Sequence, residues 1–107
     1  MKIIYFDYDR YELKEDAVQA LKDNAQTLLS NPNARILIQG SCDERGTNEY
    51  NLALGEKRGN VARDYLVSLG VDSGRIAVLS LGEESPVCQD HIEDCWWRNR
   101  KDEFVSQ

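Results

Sequence analysis

Between Gly40 and Arg58 the chain reads Gly-Ser-Cys-Asp-Glu-Arg-Gly-Thr-Asn-Glu-Tyr-Asn-Leu-Ala-Leu-Gly-Glu-Lys-Arg. Asp43 and Glu44 supply carboxylates, and Arg45 and Arg58 supply guanidinium groups. The polar turn closed by Gly46 leads into a helical pattern, whose first amides have no partner inside the helix. A carboxylate holds an ammonium, an arginine fork grips a carboxylate at two points, and a helix start favours negative charge. Those groups in one place suit a small zwitterion. Plainer roles stand beside this one: Asp43 is a common turn or cap residue, and Arg58 fits a solvated helix face.

Catalytic and metal chemistry find less support. His91 is the single histidine. A Ser41, Asp43 and His91 triad can be written, but there is no nucleophile elbow and nothing orders the histidine. No enzymatic activity is expected. Cys88, His91 and Cys95 lack a fourth metal ligand, and their spacing matches no usual zinc pattern. Neither a metal nor a cofactor is expected. A disulfide between Cys88 and Cys95 suits the spacing better, pinning a loop and stabilising the fold by about 2–3 kcal/mol through loop entropy. Cys42 is then a buried thiol acting as a small hydrophobe. Of the adjacent Trp96 and Trp97, one is expected to pack inward and one to cover the surface. Arg98, Asn99, Arg100 and Lys101 form a basic cluster, with two readings: complementing a helix C-terminus, or standing beside the site.

The elements that must position these groups follow from length and periodicity. At 107 residues the chain is a single domain, residues 1–107. With 41% hydrophobic and 30% charged residues, it has no apolar run approaching the roughly 18 residues of a membrane span. A net charge of -6 argues against nucleic acid as partner and favours solubility. No signal peptide is visible, so the chain reads as cytosolic or as a domain of a longer exported protein. A disulfide would select the oxidising compartment.

Ile3 to Phe6 reads as a first strand. From Leu13, the apolar positions Ala17, Val18, Leu21, Ala25, Leu28 and Leu29 predict a helix that Asn31-Pro32-Asn33 stops. Arg35 to Gln39 is a second strand ended by Gly40. Thr47 is the expected N-cap of a second helix, with Leu54, Val61, Ala62, Tyr65, Leu66 and Leu69 inward and Gly70 at its end. Ile76 to Leu81 is a third strand, and Trp96 to about Phe104 a last helix. The expected fold is α+β: a two-layer α/β sandwich, βαβαβ, with a mixed sheet and the helices on one face. Strands one and two, joined by a helical crossover, are expected to be parallel, so Phe6-Asp7 and Gly40 to Thr47 emerge at one sheet edge. One tension remains. From a helix start at Thr47, Arg58 stands about 16 Å along the axis, out of reach of a ligand shared with Asp43 unless the loop folds back.

The residues from Ile4 to Asp9, Gly40 to Arg58, Gly82-Glu83-Glu84-Ser85-Pro86, and Trp96 through Asn99-Arg100-Lys101 resemble the OmpA-like peptidoglycan-binding domain along nearly the whole chain. Within it, Asp-Glu-Arg-Gly-Thr followed by Glu-Tyr-Asn is most similar to the branch of peptidoglycan-associated lipoproteins. The resemblance implies non-covalent binding of peptidoglycan stem peptides through meso-diaminopimelate, whose side chain ends in an ammonium and a carboxylate. It implies Asp43 and Arg58 as the principal pair, with Phe6, Asp7, Arg45, Thr47 and Leu54 shaping the pocket. It also implies a periplasmic protein lipid-anchored to the outer membrane at its N-terminus, tethering that membrane to the wall. Its implied partners are the Tol proteins TolB and TolA, and its implied roles are envelope integrity and cell division. A Cys88–Cys95 disulfide suits that location. An OmpA-type or MotB-type wall anchor of the same fold, or a wall hydrolase using Ser41 or Cys42 with His91, are the alternatives. The chain departs from the resembled pattern at Ser41, where histidine is usual, and at Gly59 in place of alanine, a change costing a helix about 1 kcal/mol. It departs also at Leu81 and Lys101.

Overall fold

The computed structural model describes residues 1–84 and 86–107. Strands β1 (Ile4–Tyr5), β2 (Ile36–Ser41), β3 (Ile76–Gly82) and β4 (Lys101–Ser106) alternate with helices α1 (Glu15–Ser30), α2 (Asn48–Ser68) and α3 (Glu93–Asn99). They form one mixed sheet in the order β1-β4-β2-β3. β2 and β3 are parallel, whereas β4 runs antiparallel to both of its neighbours. β1 and β2 therefore point the same way, as their helical crossover requires, with β4 between them.

That last strand corrects the sequence reading, which continued a helix from Trp96 to about Phe104. The helix stops at Asn99, and Lys101–Ser106 enters the sheet, pairing Gly40 with Asp102 and Leu37 with Val105. The physical reason is tertiary. Without β4, the facing edges of β1 and β2 would bury unpaired amides and carbonyls, a cost that outweighs local helix propensity.

The core lies on one sheet face. Ile4, Ile36, Ile38 and Ile76 meet Leu21 and Leu28 of α1 and Ala62 and Leu66 of α2. Alternation along β2 buries Ile36 and Ile38 while leaving Leu37 and Gln39 half-buried on the other face. Leu29, expected inward on α1, is exposed instead. α2 approaches the sheet closely enough to exclude side chains at the crossing. A Cβ on Gly40 would stand 2.0 Å from the Gly55 carbonyl oxygen, and one on Gly59 would stand 2.5 Å from Val78 Cγ1. Gly59 thus gives up helix propensity for contact with β3.

Candidate functional site

The turns that leave β1 and β2 lie at the same sheet edge, as the parallel directions predict. Between them and the first three turns of α2 is a cavity of about 280 Å³. The turn after β1 contributes Tyr8 and Asp9, and the turn after β2 contributes Cys42, Asp43, Arg45, Gly46 and Thr47. α2 contributes Tyr50, Asn51, Leu54 and Arg58.

Asp43 and Arg58 therefore line one cavity, although α2 begins at Asn48 and separates them along its axis. The loop folds back. Thr47 caps the helix, its hydroxyl accepting the Tyr50 amide at 3.2 Å. Gly46 takes φ +105°, open to glycine at little cost. The buried Asn51 amide then donates to the carbonyls of Asp43 at 3.4 Å and Arg45 at 3.1 Å, and to Glu83 Oε1 at 3.2 Å. These bonds lay the loop along the first turn of the helix.

Arg58 is 1% exposed. Its Nε donates to the Arg10 carbonyl at 2.8 Å, Nη1 to that of Ser41 at 2.9 Å, and Nη2 to that of Asp7 at 3.0 Å. Its guanidinium lies 5.1 Å from the centre of the Phe6 ring. Burial draws its pKa below the ordinary arginine value, with negative neighbours opposing, and a guanidinium stays charged under such a shift. Three of the five N–H donors of an arginine are spent on carbonyls. Among the described residues two remain without a partner, one on each terminal nitrogen.

Asp43 is equally buried but differently committed. Oδ1 accepts the Arg45 amide at 3.0 Å and Nε at 3.2 Å, and Oδ2 accepts Arg45 Nη2 at 2.7 Å and Arg100 Nη1 at 3.4 Å. Burial pushes this carboxyl up, but hydrogen bonds and charge from Arg45, with Arg100 behind, hold it below the ordinary aspartate value. Each carboxylate oxygen has about two acceptor sites, and all are occupied. Arg45 itself is stacked between Tyr8, 3.7 Å from the ring centre, and Trp96, at 4.0 Å.

The other expected residues fall into two groups. Arg45, Thr47 and Leu54 line the cavity. Phe6 lies behind Arg58, and Asp7 offers Arg58 its carbonyl while its side chain pairs outward with Lys14 at 3.1 Å. The next aromatic-acid pair, Tyr8 and Asp9, faces the cavity instead, and Asp9 accepts a hydrogen bond from the Tyr50 hydroxyl. Two such pairs in tandem carry no sequence signal saying which one turns outward. Arg100 was legible only as one member of a basic cluster. It is buried beside the site, bonding the Phe6 carbonyl at 2.9 Å, Asp43 and Glu93.

Cys88 and Cys95 are disulfide-bonded and Cys42 is a buried free thiol. Burial pushes the Cys42 pKa up to about 11. Ser41, Asp43 and His91 do not assemble: Asp43 is engaged by arginines, and the exposed His91 pairs with Glu44. Among the described residues no cluster of histidine, cysteine and carboxylates could hold a metal ion. Trp96 is half-buried with its Nε1 on Glu44 at 2.9 Å, while Trp97 is more exposed and packs edge-on against Tyr5.

Comparison with known proteins bears on the family and the fold. A peptidoglycan-associated lipoprotein of Haemophilus influenzae is 41% identical over 98 residues, covering 92% of this chain and 64% of the relative. One from Rhizobium meliloti is 47% identical, covering 92% and 56%. The chain thus spans less than two thirds of these relatives. The crystal structure of the peptidoglycan-associated lipoprotein from Burkholderia pseudomallei superimposes with a TM-score of 0.96 at 45% identity, covering all of this chain and 91% of that one. The C-terminal domain of Helicobacter pylori MotB shares the fold, with a TM-score of 0.92 at 15% identity, covering 100% and 84%. Residues 5–100 match the OmpA family, and the chain belongs to it.

Proposed function

We propose that the domain binds the peptide stem of peptidoglycan without chemical change, using as its handle the side-chain terminus of meso-diaminopimelate. The observation that carries this reading is Arg58. A buried guanidinium fixed by three carbonyls, with two N–H donors unspent on a cavity wall, is a preformed seat for a carboxylate. The ammonium of the same ligand goes to the Asp9 carboxylate on that cavity, since the oxygens of Asp43 are filled. Asp43 acts by holding Arg45 in the wall. Thr47 fixes the helix start, Leu54 covers the aliphatic part of the ligand, and Phe6 and the Asp7 carbonyl orient Arg58 from behind.

The relatives named peptidoglycan-associated lipoproteins support the choice of wall peptide, and they extend the reading to a protein anchored by lipid to the outer membrane. In that setting the domain tethers membrane to wall from the periplasm and engages TolB and TolA in maintaining the envelope during growth and division. The disulfide fits an oxidising compartment. An OmpA-type or MotB-type anchor would use the same fold, but identities of 41% and 47% to the lipoproteins against 15% to the MotB domain favour the former.

Incubation with purified sacculi tests the reading. A binder sediments with intact wall and releases nothing. Soluble muropeptides would instead establish a hydrolase, and failure to sediment with diaminopimelate-containing wall would end the proposal.

A further inference from the structure

α3 has seven residues, fewer than an isolated helix needs to persist in water, and its N-cap Ile92 makes no side-chain capping bond. Besides the edge-on packing of Trp97 on Tyr5 of β1, two features hold it. The Cys88–Cys95 disulfide ties its first turn to the preceding loop. Asn99 ties its end to the same loop, accepting the Val87 amide at 2.8 Å and donating to the Cys88 carbonyl at 2.8 Å.

The same short helix forms the outer support of the cavity wall. Trp96 covers the face of the Arg45 guanidinium opposite Tyr8, and its Nε1 holds Glu44. Glu93 stands 3.7 Å from Arg45 and 2.8 Å from Arg100, the two cations that occupy Asp43. The covalent staple and the binding loop are thus joined through one short element, whose Trp97 also rests on Tyr5 of β1.

We infer that the Cys88–Cys95 disulfide is a redox-sensitive positioning device for the binding site, acting through Trp96 as a positioning residue for Arg45. This rests on the peptide-binding reading above. A dithiol reductant attacks the half-buried Cys88 sulfur as its thiolate. The S–S bond breaks, the buried Cys95 leaves as a thiolate and takes up a proton, and the second thiol of the reductant resolves the mixed disulfide. The protein gains two electrons and two protons, and the dithiol becomes a disulfide. α3 then loses its staple, Trp96 leaves Arg45, and the cavity wall loosens while the core stays folded. Cys42, a buried thiol at any ordinary pH, stands outside the exchange.

The test combines calorimetric titration of the L-alanyl-γ-D-glutamyl-meso-diaminopimelate tripeptide with the NMR signal of the Arg45 Nε–H, with and without dithiothreitol. Reduction is expected to weaken tripeptide binding about tenfold, the loss that follows misplacement of a charge-assisted hydrogen bond. The Arg45 signal, shifted by two aromatic rings, moves to the value of a solvated arginine. Trp96→Ala reproduces both changes in the oxidised protein, and reducing that variant adds less than about twofold, because the two perturbations act on one contact. Trp96→Phe, which keeps a ring over Arg45, restores most of the affinity. Equal affinity before and after reduction, or losses that multiply in the reduced Trp96→Ala protein, overturns the inference. If the oxidised protein does not bind the tripeptide, the peptide-binding reading has failed. The Arg45 signal still decides the coupling, and an unchanged signal on reduction overturns it. A Cys88→Ser, Cys95→Ser double variant gives the same readings without reductant.

Discussion

Asp43 and Arg45 are joined at two points, Nε to Oδ1 at 3.2 Å and Nη2 to Oδ2 at 2.7 Å, with the Arg45 amide adding a third bond at 3.0 Å. The pair closes a turn on itself and presents its outer side to Tyr8 and Trp96. Asp43, expected to touch ligand, is thus bonded to an arginine that lines the same cavity. Asp43→Ala should therefore lose both wall binding and stability. It takes the bonds to Arg45 and one of the two carboxylate partners of the buried Arg100, which keeps Glu93, a loss of about 1–3 kcal/mol for charge-assisted hydrogen bonds. Urea melts paired with sacculus sedimentation check this, and an unchanged melt would show that the carboxylate does not hold the loop.

Asp9 gives the cleaner probe of ligand contact. It is exposed and bonds only the Tyr50 hydroxyl among the described residues. Its φ of 55° is one that asparagine adopts readily. Asp9→Asn should leave the thermal midpoint unchanged and weaken binding of a diaminopimelate peptide about tenfold, the worth of one charge-assisted contact. A 2-aminopimelate peptide, which lacks the terminal ammonium, should bind wild type and variant alike. Discrimination between the two peptides that survives in Asp9→Asn would assign the ammonium to another group.

Arg58 tests the other half of the ligand. Arg58→Lys keeps the charge but replaces a planar fork by a point, and it cannot reach three carbonyls and a carboxylate together. Sedimentation with sacculi should be lost, and stability should fall by about 1–3 kcal/mol as carbonyls of Arg10, Ser41 or Asp7 go unsatisfied. Retained binding by the lysine variant would mean that charge alone suffices.

How much of this was legible in the sequence follows from which signals are local. The α2 cap, its apolar face and the Cys88–Cys95 pairing were readable, because caps, helical spacing and short cysteine spacing are local properties. The Gly40 to Arg58 stretch was readable for its chemistry, but not for its division of labour. Whether Asp43 faces ligand or Arg45 depends on how the loop folds back through Asn51, whose role is set by Glu83 and the Asp43 and Arg45 carbonyls, some of them distant in sequence. β4 was unreadable for the same reason. Its backbone partners lie on β1 and β2, some sixty to a hundred residues earlier, and only their need for hydrogen bonds makes Lys101–Ser106 a strand. Gly59 looked like a weak point in α2 until Val78 appeared in the space a Cβ would need.

Asp102, beside Gly40 in the sheet, carries a pH dependence of its own. It is 0% exposed, and among the described residues neither carboxylate oxygen has a hydrogen-bond partner. Burial raises its pKa well above the ordinary value, with Arg58 opposing. In the folded protein the group stays protonated at pH values where the unfolded chain, with its aspartate near 3.9, has released the proton. The folded state then binds more protons, so stability falls as pH rises above about 4 and keeps falling until the folded pKa is passed. Asp43, with its lowered pKa, acts in the opposite sense: its contribution is present above that pH and lost on acidification. Above about pH 5 the Asp102 effect should dominate, since the Asp43 carboxyl is ionised in both states there. Asp102→Val, which removes the carboxyl and suits a strand, is expected to stabilise the protein by about 1–3 kcal/mol, the cost of burying a polar group without hydrogen-bond partners. The gap between variant and wild type should widen with pH, by up to about 1.4 kcal/mol per unit. Urea melts of both proteins at several pH values in this window measure that gap. A gap that stays constant would show that the carboxyl is already ionised when buried, with the Arg58 charge compensating it.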